Sequence, residues 1–148
     1  MSPRTSIGVI AVLLAAAPAY AQQPTAAGRV KVVTGQAFIV RAHDVIAAQP
    51  GQLVYESDSL RTGAEGTIGV TLKDDTRVSL GPASEVRVDR FSYGSADGSL
   101  ALALKVVRGV TAYVSGRIAK LAPDSVHLET PSAIVGVRGT TLLIRADN

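Results

Sequence analysis

Through most of the chain after residue 29, apolar and polar residues alternate singly, which is the period of a half-buried β-strand and not of a helix. Ile68, Val70 and Leu72 alternate with Thr67, Gly69 and Thr71, and after Lys73-Asp74-Asp75-Thr76 the alternation returns in Val78 and Leu80. The two runs are predicted to be antiparallel partners joined by that turn, and Gly81-Pro82 ends the second. Val86 and Val88 alternate with Arg87 and Asp89, and Phe91 and Tyr93 close that run. A loop over 94–99 then leads into the longest alternation, Leu100, Leu102, Leu104 and Val106, predicting another hairpin. Arg108-Gly109 is expected to bend this strand and shift its register so that Val110, Ala112 and Val114 point inward.

Closer to the N-terminus, Val30 and Val32 are separated from Phe38 and Val40 by Thr34-Gly35-Gln36, which reads as a first hairpin-like pair. A loop from His43 to Gln52 carries the turn Pro50-Gly51, and Leu53 re-enters the core. Downstream, Gly116 and Pro123-Asp124 punctuate a short piece before Val126 and Leu128 alternate with His127 and Glu129. Turns recurring about every ten residues predict an all-β fold, with short antiparallel strands forming a sandwich, roll or short β-solenoid. Helical pattern is confined to the first residues.

The stretch from Thr130 to Ile144 departs from plain alternation. Pro131 removes a backbone donor, while Gly136 and Gly139 lack Cβ, so a strand here should bend, admit neighbouring backbone and then resume pairing. Arg138 lies between the glycines beside Val137. Its guanidinium is expected to turn inward onto a carboxylate such as Asp58, because an unpaired buried charge is costly. The final apolar run Leu142-Leu143-Ile144 predicts a terminal strand with an open edge, suited to pairing with a partner or with a second copy.

The N-terminal segment changes the picture. Arg4, an apolar run over 7–17 and Ala19-Tyr20-Ala21 have the order of a secretory signal peptide cleaved after Ala21. The apolar run is shorter than the ~20 residues of a membrane span and meets Pro18, which argues against a retained anchor. The expected organisation is a signal peptide over 1–21, a flexible leader over 22–28 and one β domain over 29–148. The mature chain is expected to be soluble, in the periplasm or secreted, with no stable membrane insertion. With no cysteine, the domain must hold through its core alone, and thiolate metal sites are excluded. Losing Arg4 from 15 basic residues leaves 14 against 12 acidic ones, a net charge of +2 that is too small to argue for nucleic acid.

No catalytic constellation emerges, and the sequence predicts neither enzyme activity nor a cofactor or metal. His43 falls in a loop and His127 on an outward strand position, without Cys or a zinc-motif context. Ser84 lacks the Gly-x-Ser-x-Gly setting of a nucleophile and reads as a turn hydroxyl. Glu56, Asp58, Glu65, Asp74 and Asp75 cluster at two turns, where such side chains bond local backbone.

Three segments carry a family resemblance. Thr130-Pro131 followed by Ala133-Ile134-Val135-Gly136-Val137-Arg138-Gly139-Thr140 resembles the TPxAxxGVRGT signature of FecR domains. Asp58-Ser59-Leu60-Arg61-Thr62-Gly63 resembles their GDxLxTG, and residues 72–80 resemble their LxDGSxVxL, including Asp74. Ser57 and Asp75 stand where the family pattern has glycine. The resemblance implies a non-enzymatic envelope module that binds an envelope protein partner. It also implies that Asp58, Leu60, Thr62, Gly63, Asp74, Thr130, Pro131, Gly136, Val137, Arg138, Gly139 and Thr140 are structural. Without a membrane helix after its signal, the chain is not expected to relay a signal across the inner membrane alone. The competing expectation is an envelope protein that binds cell-wall glycan or a small ligand, with hydrolysis of it the less favoured variant.

Overall fold

Branched and Leu side chains at every second position build twelve strands in the computed structural model, which describes residues 24–137 and 139–147 together with Pro3 and residues 16–19. In chain order they are β1 (Ala26–Thr34), β2 (Ala37–Arg41), β3 (Asp44–Ala47), β4 (Leu53–Tyr55), β5 (Ser59–Thr62), β6 (Thr67–Leu72), β7 (Arg77–Leu80), β8 (Glu85–Ser92), β9 (Ala101–Val114), β10 (Val126–Glu129), β11 (Ile134–Gly136) and β12 (Thr141–Ala146). A short helix, α1 (Arg117–Leu121), and a 3-10 turn (Pro123–Ser125) separate β9 from β10.

All twelve strands join one sheet, ordered β3-β2-β5-β8-β9-β7-β6-β1-β4, with β10 and β12 added along β9 and β11 outside β10. β9 serves two leaves of this curled sheet. Its first part pairs with β8 and, in parallel, with β10; its last six residues pair with β7 and β12. The first leaf is therefore β4-β1-β6-β7-β9-β12 and the second β3-β2-β5-β8-β9-β10-β11. Their inner faces share one core, with Val30, Val70, Val78 and Tyr113 from the first leaf and Ile39, Leu60, Leu104 and Leu128 from the second.

The chain crosses between leaves at Gly35-Gln36, over 63–66, over 81–84 and within β9 at Gly109, besides the crossings on either side of β4, over 48–52 and 56–58. Because β1, β6, β7 and β9 are neighbours in one leaf and β2, β5, β8 and β9 in the other, the first four crossings stack along a single fold line. At the opposite end of the leaves, α1 bridges from β9 to β10 with Ile118 fully buried, and the chain returns from β11 to β12 with Val137 buried.

The all-β class is as the sequence predicts, and of the three predicted architectures the roll is nearest. Several local expectations are corrected. β1 and β2 are not a hairpin, since β1 pairs with β4 and β6 while β2 pairs with β3 and β5; Gly35, at φ +64°, sends the chain to the other leaf. The predicted flexible leader ends sooner, because residues 26–28 belong to β1 and Ala27 is buried. A bulge between Val30 and Val32 leaves Val32 outward. Four residues of the predicted loop after His43, Asp44–Ala47, form β3. The predicted bend at Gly109 is present, at φ +81°, but it inverts the alternation: Thr111 and Tyr113 are buried, and Val110, Ala112 and Val114 are not. Helix is also not confined to the first residues, since α1 forms. The predicted signal segment and cleavage site lie outside the described residues, apart from Pro3 and residues 16–19.

Both departures from the family's glycine pattern adopt a glycine-like backbone, with Ser57 at φ +74° and Asp75 at φ +69°. Ser57→Gly relieves a left-handed cost while keeping the Ser57 N–H bond to the Val88 carbonyl (2.7 Å). After the larger unfolded-state entropy of glycine is subtracted, it should raise stability by about 0.5 kcal/mol. Urea unfolding checks this, and a loss of stability would show that the serine side chain is needed.

Candidate functional site

The polar side chains that the sequence marks out gather into three clamps. The first holds the segment between β4 and β5. Asp58, fully buried, takes both Nε (2.9 Å) and Nη2 (2.7 Å) of Arg41 and the Tyr55 N–H (2.9 Å). Arg41, at the end of β2, lies 4.6 Å from the Tyr55 ring centroid, and its hydrogen bond to Asp58 raises its pKa against the opposing effect of burial. Asp58 therefore has its guanidinium in Arg41. The expected partner Arg138 lies outside the described residues.

The second clamp is the fold line. Thr62 donates its hydroxyl to the Gly81 carbonyl (2.7 Å) and accepts the Ser84 N–H (2.9 Å). Buried Ser84 in turn accepts the Val110 N–H on its hydroxyl (2.9 Å), fixing β9 beside its bend. Gly63 donates to the Gln36 carbonyl (2.9 Å), and a Cβ on Gly66 would lie 1.9 Å from the same oxygen. Gly66 cannot be replaced without separating the crossings, whereas a Cβ on Gly63 would crowd only the Gln36 side chain, at 3.0–3.1 Å.

Asp74 is the third clamp. Completely buried in the β6–β7 turn, it accepts the Thr76 N–H (3.1 Å) on one oxygen and the Thr76 hydroxyl (2.7 Å) and Ile118 N–H (3.2 Å) on the other. Its backbone carbonyl receives the Arg117 N–H (2.7 Å). A carboxylate 44 residues away thus caps the N-terminus of α1, a helix too short to stand alone.

The stretch from Thr130 is not a continuous bent strand: it makes the β10–β11 turn and the short strand β11 before the chain returns to β12. Thr130 closes the β10–β11 turn, its hydroxyl accepting the Ala133 N–H (3.1 Å), with Pro131 exposed at the tip. Gly136 is exposed on β11, and a Cβ there would meet nothing, so the expected close backbone approach is absent. Gly139 does need glycine, at φ +117°, though again without a close neighbour. The Gly139 and Thr140 carbonyls receive the Ser115 hydroxyl and N–H, both at 2.8 Å, tying the crossing to the end of β9.

Two of the open cavities outside the core involve residues singled out in the sequence. One, of about 660 Å³, runs past Arg41, Tyr55, Glu56, Ser59 and Arg87. The other, of about 480 Å³, is lined by Ala119, Asp124, His127, Gly136 and Gly139, and no hydrogen bond joins Asp124 to His127 among the described residues. His43 is exposed in the β2–β3 turn, well separated in sequence from exposed His127. Glu56 accepts the Phe91 N–H (3.0 Å), Asp75 pairs with Arg117 (3.4 Å), and Glu65 sits exposed at a turn.

The FecR protein family model matches residues 58–148, more than half of the chain. The chain belongs to the FecR family. No curated protein and no solved structure matches it. The match begins at Asp58, yet β1 to β4 belong to the same sheet and core as the FecR-matched strands and supply Arg41.

Several of the FecR motif residues thus sit at joints of the sheet, whereas Pro131 and Gly136 are exposed without close partners and Arg138 lies outside the described residues. Asp58, Thr62, Gly63 and Asp74 hold crossings or caps, Leu60 and Val137 fill the core, and Thr130, Gly139 and Thr140 set the last turn and crossing. Sequence reasoning did not single out Arg41, Thr76 or Ser115 and read Ser84 only as a turn hydroxyl, since Arg41, Ser84 and Ser115 act on partners distant in sequence and Thr76 acts through Asp74, whose reach to α1 only the fold reveals. Gly139→Val should cost about 1–3 kcal/mol through its backbone angle alone, whereas Gly136→Ala should be close to neutral. Thermal unfolding of the pair separates them, and equal melting temperatures would remove Gly139's special status.

Proposed function

We propose that this FecR-family chain is a non-enzymatic protein of the cell envelope that works as a protein–protein interaction module. One observation carries the reading: the motif side chains Asp58, Thr62 and Asp74 are buried and bonded to their own chain. What the family pattern specifies is a scaffold, which leaves sheet edges and outer faces for recognition. β12 pairs only with β9 among the described residues, and Leu143 on it is 75% exposed, so the C-terminal strand is suited to accept a partner strand or a second copy. The N-terminal sequence supports export to the periplasm or beyond after cleavage following Ala21, which mass spectrometry of the exported protein tests; an intact N-terminus would contradict it. Among the described residues no helix is long and apolar enough to cross a membrane.

The 660 Å³ cavity favours a second reading, since Tyr55 and the cations Arg41 and Arg87 could receive a glycan or small anionic ligand there. Pull-down from envelope extract run beside sedimentation with cell-wall glycan decides between them. Capture of a specific protein that is reduced by Leu143→Lys supports the first reading, and glycan retention without protein capture supports the second.

A further inference from the structure

Inverting the alternation at Gly109 puts an unusual surface on the outside of the first leaf. The register aligns Val32, Gly69, Ser79, Ala112 and Leu143 as cross-strand partners in one row spanning β1, β6, β7, β9 and β12. The row is small and apolar, and Val32 and Leu143 at its ends are 58% and 75% exposed. Val110 and Val114 flank it on β9, facing outward on either side of Ala112. An antiparallel sheet with one solvated face ordinarily carries polar side chains there.

The charge on this leaf is one-sided. Its strands carry Arg29, Lys31, Arg77 and Arg145 and no Asp or Glu, whereas the second leaf's strands include Asp44, Glu85, Asp89 and Glu129. On the second leaf Arg61 and Arg108 are matched by Glu85 and Arg87 by Asp89, while Arg90 and Lys105 have no ion pair among the described residues. On the first leaf Lys31 and Arg77 have no ion pair among the described residues, and Arg145 reaches only Asp147, at 4.0 Å.

We infer that the outer face of the first leaf is the docking surface for a different protein, whose contacting surface is apolar at its centre and carboxylate-rich at its margin. The inference deepens the interaction-module reading and rests on it. Small residues at the centre allow a partner backbone or sheet to approach closely, and the unmatched cations supply the complementary rim. A second copy placed face to face would set cation against cation with no carboxylate on the strands of either leaf. A lipid surface would be met by one leucine and no aromatic in the row, which is a poor insertion device.

The test places a photo-crosslinking amino acid at Ser79 of the full chain in the cells that make it, with Val45 on β3 and Arg87 on β8 as comparison positions. Ser79 should give a discrete adduct with another protein, joined through an Asp- and Glu-rich peptide. Arg77→Glu with Arg145→Glu should reduce it by at least about tenfold without changing the melting temperature, since like charges would then face each other. Adducts of the chain with itself, or an adduct unaffected by the charge reversals, would overturn the inference. So would pelleting of the purified chain with phosphatidylglycerol vesicles that depends on those two arginines. Protein adducts at Val45 or Arg87 but not at Ser79 would overturn this surface and leave the interaction module standing; no protein adduct at any position would remove both.

Discussion

Asp74→Ala is expected to lower the unfolding free energy by about 3–5 kcal/mol, the larger of the effects foreseen for a single side chain here. The carboxylate is wholly buried and satisfies three donors, the Thr76 N–H, the Thr76 hydroxyl and the Ile118 N–H. Alanine strands all three where water has little access, because a Cβ on neighbouring Gly116 would already touch Thr76 N at 2.3 Å and the Asp74 carbonyl at 2.4 Å. With a domain of this size the melting temperature should fall by roughly 10–20 °C. Asp74→Asn should fall between, since its amide nitrogen must face at least one of these donors. An unchanged melting temperature for the alanine variant would mean that α1 is not held by this carboxylate.

Gly109→Ala should cost about 3–5 kcal/mol for a different reason, combining a left-handed backbone with an occupied space. At φ +81° the added Cβ would lie 2.1 Å from the Ser84 hydroxyl and 2.6 Å from its Cα. Ser84 cannot step aside, since its hydroxyl accepts the Val110 N–H and its own N–H bonds Thr62. Gly98→Ala is the internal control: it has a similar φ of +70° with nothing within 4 Å, so it should show only the backbone part, about 1–2 kcal/mol. Urea unfolding of both variants isolates the close approach, and equal losses would show that the crossings at Gly109 and Ser84 are not in firm contact.

Local pattern was legible wherever a hairpin stays within one leaf. The β6–β7 and β8–β9 pairings follow from alternation interrupted by short turns, and the left-handed conformation at Asp75 from its place in the turn. Strand partners were not legible where the chain changes leaf. Val30 and Phe38 look like two sides of a hairpin, but nothing in residues 34–36 records that they enter different leaves. The parity of β9 after Gly109 was likewise hidden, because its outer residues Val110, Ala112 and Val114 are as apolar as a core and its inner ones include Thr111. Charge pairing failed for a related reason: Arg41 sits in an unremarkable stretch, and only the fold brings it to Asp58, 17 residues on. The five-residue α1 has no helical signature of its own, and its capping group lies on another strand pair.

Through Thr62 and Ser84 the inter-leaf crossings stack into one cooperative column. A double-mutant cycle on Thr62 and Ser84, read by urea unfolding, tests it most directly. Thr62→Val and Ser84→Ala should each cost more than about 1 kcal/mol. Because the two residues share a hydrogen bond, their combined loss should fall short of the sum by about 1 kcal/mol or more, in a single transition seen alike by circular dichroism and tyrosine fluorescence. Strictly additive losses, or separate transitions for the two probes, would contradict it.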